Sequence, residues 1–134
     1  LHDRVNGFRL GSNVVWQWKK GGLKLLHLGG IAFHISIEQK ILMGTPDVLF
    51  IPVGGTDETY AAEEAKAAIA LLQPRLVIPT HYRTGAANPS ACDLDPVDNF
   101  LKVMAGNSIR RGGTSLSLSA GSLPGKGPVI QVMG

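Results

Sequence analysis

A single cysteine, Cys92, among 134 residues leaves no partner for an internal disulfide and no ligand set for a cysteine-based zinc ribbon. It stands in a polar stretch and reads as an inert surface thiol. Long hydrophobic runs are missing too: every apolar stretch falls short of the roughly 20 residues that a helix needs to cross a bilayer. No secretory leader is visible ahead of the first pattern, so a cytoplasmic chain with no membrane partner is expected. Charge of one sign is scarce. A net +3 arises from 13 Lys and Arg against 10 Asp and Glu, and only Lys19-Lys20 and Arg110-Arg111 are adjacent. A phosphate-binding face shows clustered Lys and Arg, so nucleic acid is not an expected partner. Hydrophobic residues make up 44% and charged residues 17%, which excludes disorder and permits a buried core in one domain over 1–134.

The elements read as α/β. "NVVWQWKKGGLKLLHLGG" is a hairpin: Asn13 to Trp18 is one arm, Lys19 to Gly22 the turn, and Leu23 to Leu28 the return. Val14, Trp16 and Trp18 alternate onto one face, and the tryptophans read as core. A short helix is expected from Ser36, its cap, to Met43, with Gly44 and Pro46 ending it. "DVLFIPV" suits a central strand. "TDETYAAEEAKAAIALLQP" is the strongest helix pattern, with Asp57 and Glu58 as capping, dipole-favoured charges and Pro74 as its stop. "RLVIPTHY" follows as a strand, so strand–helix–strand implies a parallel, right-handed connection. Pro96 to Met104 reads as another helix, capped by Asp95. Strand-like pieces follow near 108–110, 115–119 and 129–132.

In open α/β sheets ligands collect beyond the carboxyl ends of strands. Three polar clusters stand there: Gly29-Gly30 with His34, Gly54 to Asp57, and Thr80 to Thr84. Histidine carries the chemical interest, because neutral imidazole is the commonest transition-metal ligand. The four histidines, His2, His27, His34 and His81, form no His-x-His or His-x-x-x-His pair, so local spacing alone does not announce a metal. Each taken singly fits a hydrogen-bonded structural role. Tyr82 and Arg83 beside His81 could bind an anionic substrate group, since guanidinium pairs well with carboxylate or phosphate.

Taken in order, "HD", "HLGG", "DVLFIPVGG" and "IPTHYRT" resemble the metallo-β-lactamase superfamily, and specifically its metal-dependent hydrolases similar to the ascorbate-phosphate lactonases. The likeness runs over nearly the whole chain. It implies the C-terminal half of an αββα sandwich, with a mixed β-sheet and flanking helices. It implies metal ligands at His2 and His81, with Asp3, His27, Gly30 and His34 as site-supporting positions. A zinc- or manganese-dependent hydrolysis of a small-molecule ester, lactone or phosphoester follows, in which metal-bound hydroxide attacks carbon or phosphorus.

Two departures bear on that expectation. Members of the family close the "HLGD" strand end with a metal-bridging aspartate, and here the position is Gly30. A Gly30→Asp change is then expected to restore the inherited ligand, and His34, four residues on, could substitute only by local rearrangement. The family's "HxHxDH" run is also absent from residues 1–134. His2 and His81 alone are one ligand fewer than a catalytic zinc requires. "HLGGIAFH" therefore reads as the vestige of a metal site, although two glycines after a buried strand permit a tight turn without any metal. The chain is expected either to act as a fragment lacking the N-terminal ligand motif, or to be a non-catalytic remnant that holds no metal. Half a sandwich exposes an apolar sheet face, so a homo-oligomer or association with a missing N-terminal half is expected.

Overall fold

Alternation and glycine placement build the sheet in the computed structural model, which describes all 134 residues. Strands β1 (Trp16–Lys20) and β2 (Leu23–His27) form the hairpin, turning at Gly21-Gly22, both with positive φ as a two-residue turn requires. Helix α1 (Ile37–Met43) starts with a reciprocal cap in which Ser36 accepts from the Gln39 amide and Gln39 accepts from the Ser36 amide. Then come β3 (Val48–Pro52), α2 (Ala62–Leu72), β4 (Leu76–Thr80), α3 (Val97–Val103), β5 (Ile109–Arg111) and β6 (Val129–Val132). The sheet has the order β1-β2-β3-β4-β6-β5, antiparallel only in the hairpin. It is the expected mixed sheet with flanking helices.

Helix α2 begins later than its sequence pattern suggests. Glu64 turns back to accept from the Ala61 amide at 2.7 Å, fixing the start at Ala62. Asp57 and Glu58 thus lie in a turn before the helix, not in its first turn. The stretch 115–119 forms no strand.

The two sheet faces differ. One packs on the helices through a core that includes Leu26, Leu49, Ile51, Val77 and Ile130 with Ala65, Ile69, Leu72 and Phe100. The opposite face carries Leu23, Val48, Leu76, Ile78 and Val129, partly covered by Leu118 and Leu123 of the last long loop. Trp16 and Trp18 correct the expectation of core tryptophans: they are 67% and 40% exposed. Strand β1 is a sheet edge, where Leu116 and Leu118 of the last loop approach the second face without closing over Trp18. An apolar cavity of about 520 Å³, lined by Trp18, Leu23, Leu25, Phe50 and Ile78, opens there. No helix is long and apolar enough to cross a membrane.

Candidate functional site

The parallel strands β2, β3 and β4 all end at one edge of the sheet, and the loops leaving them meet the N-terminal segment there. A cavity of about 650 Å³ at this edge is lined by His2, Gly30, Thr56, Glu58, His81 and Asp93, among others. The N-terminal segment, the β2 exit, the β3 exit and the β4 exit each contribute.

His2 is held by the loop that follows it. Asp3 is buried, and its carboxylate accepts four backbone N–H bonds: Val5 at 3.0 Å and Gly7 at 2.7 Å on Oδ1, Arg9 at 3.0 Å and Leu10 at 2.7 Å on Oδ2. Burial alone would push this carboxyl up, but the four donors together outweigh it and hold it below the ordinary aspartate value. The turn is closed by Asn6 and Gly7, both at positive φ, and by the His2 amide donating to the Gly11 carbonyl at 3.2 Å. Arg4 ties the loop to α2: its guanidinium pairs with both carboxylate oxygens of Glu64, one of them at 2.8 Å. Burial acts to raise Glu64, while the Arg4 bond and the Ala61 amide prevail and lower it. Because the folded value lies below the unfolded one, this clamp stabilises above the ordinary glutamate range and is lost as pH falls through the lowered value.

His81 follows β4 with a left-handed backbone, φ 49°. A non-glycine residue in that region costs on the order of 1–3 kcal/mol, and such strain clusters at functional sites. The conformation turns the chain sharply at the cavity wall. It is fixed by Gly54, which packs so closely under the His81 carbonyl that no side chain fits. The next loop returns beside it, with the Arg83 amide donating to Asp95 at 2.9 Å and the Asp95 amide to Gly54 at 2.7 Å. Asp93 and Leu94 thereby form a wall of the cavity.

His27 stands beside this cavity without lining it. Its ring stacks on Phe50, centroids 5.3 Å apart, and its Nδ1 accepts from the Gly29 amide at 2.9 Å. Nδ1 is thus occupied, which leaves the proton of the neutral ring on Nε2. Burial first, and His81's charge second, lower the His27 pKa. Asn13 locks the same turn, donating to the Leu28 carbonyl at 2.6 Å and accepting from the Gly30 amide at 3.0 Å.

The remaining expected positions go elsewhere. His34 lines a small pocket of about 90 Å³ with Tyr60 and Glu64, where the Tyr60 hydroxyl donates to the Phe33 carbonyl at 2.7 Å and pins the segment. Tyr82 and Arg83 line a different cavity of about 520 Å³ with Arg111 and Asp98, and the Tyr82 hydroxyl donates to the Met133 carbonyl at 3.1 Å. The left-handed backbone of His81 redirects the chain after β4 and separates these two side chains from the His2 cavity. The cavity also takes Arg4, Arg9, Thr59 and Asp93, which the sequence patterns do not single out, along with Thr56 of the expected Gly54–Asp57 cluster. The Asn6-Gly7 dipeptide after His2 was the available signal that the N-terminal loop folds back.

As a metal centre the set is incomplete. No group of three or more His, Cys, Asp and Glu side chains is placed to hold an ion. The two imidazoles of His2 and His81 alone do not fit a catalytic metal, which takes three protein ligands.

Comparison with known proteins extends the picture. A family model described as a beta-lactamase superfamily domain matches residues 1–81. A UPF0173 metal-dependent hydrolase of Pyrococcus furiosus is 32% identical over 119 residues, covering 87% of this chain and 52% of that protein. One from Thermococcus onnurineus is 38% identical over 85 residues, 62% of this chain and 38% of the relative. A solved Thermotoga maritima structure, a candidate zinc-dependent hydrolase of the metallo-beta-lactamase superfamily, superposes with a TM-score of 0.78 at 35% identity. It is matched over 96% of this chain and 62% of its own. The chain thus spans about half the length of the Pyrococcus relative.

Proposed function

We infer, from the premise that this chain belongs to the beta-lactamase superfamily, that its His2–His81 cavity is one share of a metal-dependent hydrolase site. The observation that carries this reading is the cavity lined by two histidines from the two ends of this segment, His2 and His81, at the carboxyl edge of the parallel strands. The relatives' printed description as metal-dependent hydrolases supports it. Further ligands would come from outside residues 1–134, and zinc or manganese is the ion proposed. The substrate class proposed is a small-molecule ester, lactone or phosphoester, in a cytoplasmic protein.

No reaction step is assigned to an ion that these residues do not complete. What the chain itself supplies is placement. Asp3 and the Arg4–Glu64 clamp hold His2, while Gly54 and the strained backbone hold His81. Asp57, Glu58 and Asp93 set acidic charge on the walls, opposed by Arg4 and Arg9. The test is zinc binding followed on the histidine ring resonances. Zinc is expected to shift His2 and His81 together, and His81→Ala to weaken affinity by about 100-fold or more, beyond the loss typical of an outer-shell partner. Shifts at His34 alone, or affinity untouched by His81→Ala, would remove the reading.

A second reading, a non-catalytic chain that self-associates, is favoured by the exposed apolar surface. Besides Trp16 and Trp18, α1 shows Ile37, Ile41 and Leu42 at 76%, 74% and 78% exposure. Light scattering at micromolar concentration is expected to show oligomers, and an apolar dye to bind. A monomer that binds no dye rules this out.

A further inference from the structure

Of the six arginines in the sequence, four are paired: Arg4, Arg9, Arg75 and Arg111 meet the carboxylates of Glu64, Asp57, Asp47 and Asp98. Arg110 is exposed to solvent. Arg83 alone is half-buried with its guanidinium in no ion pair and no hydrogen bond. Its backbone is fixed, by the amide bond to the Asp95 carbonyl at 2.9 Å and a bridge to Pro96, so the side chain starts from a rigid base. A cation partly withdrawn from water without a partner is costly, and an anion is what offsets that cost. The surroundings suit one. Strands β4, β6 and β5 are parallel neighbours, so their carboxyl ends continue the sheet edge beyond the His2–His81 cavity. Arg83 from the β4 exit, Val132 of β6 and Arg111 of β5 meet there around the cavity of about 520 Å³. Asp98 is the one acid on its wall, and it already holds Arg111 at 3.1 Å with both side chains more than half exposed. Two guanidinium groups against one carboxylate leave the wall positive.

We propose that this cavity is an oxyanion-binding site, separate from the His2–His81 cavity, in which Arg83 receives the carboxylate or phosphate group of a small organic molecule and Arg111 supports it from β5. The planar fork of Arg83 offers two parallel N–H bonds to either group. Arg111 joins without leaving Asp98, because an exposed pair is weak and a guanidinium has more donors than one carboxylate oxygen takes. The uncharged part of the molecule lies on the apolar wall of Pro89, Val97 and Val132. No histidine lines this cavity, so the site stands whether or not the metal reading does.

Phenyl phosphate and benzoate are the probes, titrated into the 134-residue chain at constant ionic strength and followed on backbone amide resonances. At least one is expected to shift Thr84, Val97 and Arg111 saturably, with one site per chain, and the tighter of the two names the group recognised. Arg83→Gln is expected to weaken that probe by about tenfold or more, the loss typical of hydrogen bonds to a charged group. Arg111→Gln should weaken it several-fold. Arg110→Gln removes the same charge one residue away but outside the cavity, and should leave affinity unchanged. His81→Ala should also leave it unchanged, which keeps this test apart from that of the metal reading. Saturation by neither probe overturns the proposal. So does a loss in Arg110→Gln equal to that in Arg83→Gln, which would mean diffuse attraction rather than a site. Should Arg83→Gln fold poorly, Arg83→Lys decides: it keeps the charge and loses the fork, a several-fold weakening is expected, and unchanged affinity overturns the proposal.

Discussion

Gly54→Ala is expected to destabilise the fold by about 3 kcal/mol or more, the upper range for forcing an extra methyl into a packed interior. For a domain of this size that lowers the thermal midpoint by roughly 10 °C. An added Cβ would overlap the His81 carbonyl oxygen and stand 2.5 Å from Leu94 Cδ2 and 3.2 Å from Thr59 Oγ1. The carbonyl is backbone and cannot swing away. Its strand is tied to β3 by the Val53 amide donating to Thr80 at 3.0 Å, and the returning loop is tied to Gly54 itself through Asp95. Relief thus requires the β3 and β4 exits to part, which moves His81 out of the cavity wall. Gly85→Ala is the control: nothing lies within 4 Å of its added methyl and its φ is not positive, so it should leave stability within about 0.5 kcal/mol. Thermal melts of the two variants that coincide would show that the close approach at Gly54 is not there.

That pairing of Gly54 with His81 was partly legible before any coordinates. Polar clusters after "DVLFIPV" and "RLVIP" follow from strand patterning, and parallel strands must deliver both to one edge. The strand–helix–strand unit was legible because its apolar residues change period from two to 3.6 and back. Four things were not. Which sheet face is covered cannot be read from alternation, so Trp16 and Trp18 passed for core although β1 is an edge. The start of α2 depends on Glu64 reaching back to Ala61, a local competition that the acid-rich run 57–64 hides. Tyr82 and Arg83 adjoin His81 in sequence but face another cavity, because its left-handed backbone redirects the chain between them. The role of Asp3 was hidden most deeply. The resemblance marks Asp3 as site-supporting without saying how, and the structure shows both carboxylate oxygens committed to its own loop.

Asp3→Asn should therefore open the N-terminal loop while barely changing its shape or volume. The asparagine amide keeps one carbonyl oxygen for four N–H donors and turns an NH₂ toward two of them, so donors face donors. Either the Val5 and Gly7 pair or the Arg9 and Leu10 pair loses its acceptor inside a nearly buried site, since Asp3 is 1% exposed. Unpaired buried donors are the costly case, and water entering to satisfy them unfolds the turn locally. Amide hydrogen exchange at Val5, Gly7, Arg9 and Leu10 is expected to accelerate by about tenfold or more, with core strand amides such as Val77 unchanged. Trypsin cleavage at Arg4 and Arg9 should rise in parallel, because opening frees Arg4 from Glu64. His2 immediately precedes the loop, so its place in the cavity wall loosens with it, and carbethoxylation of His2 should accelerate while His81 stays as in wild type. The contrast separates anchoring from ligation. A carboxylate that only ligated would leave the four amides protected when replaced by its amide, whereas an anchor releases them before any metal is added.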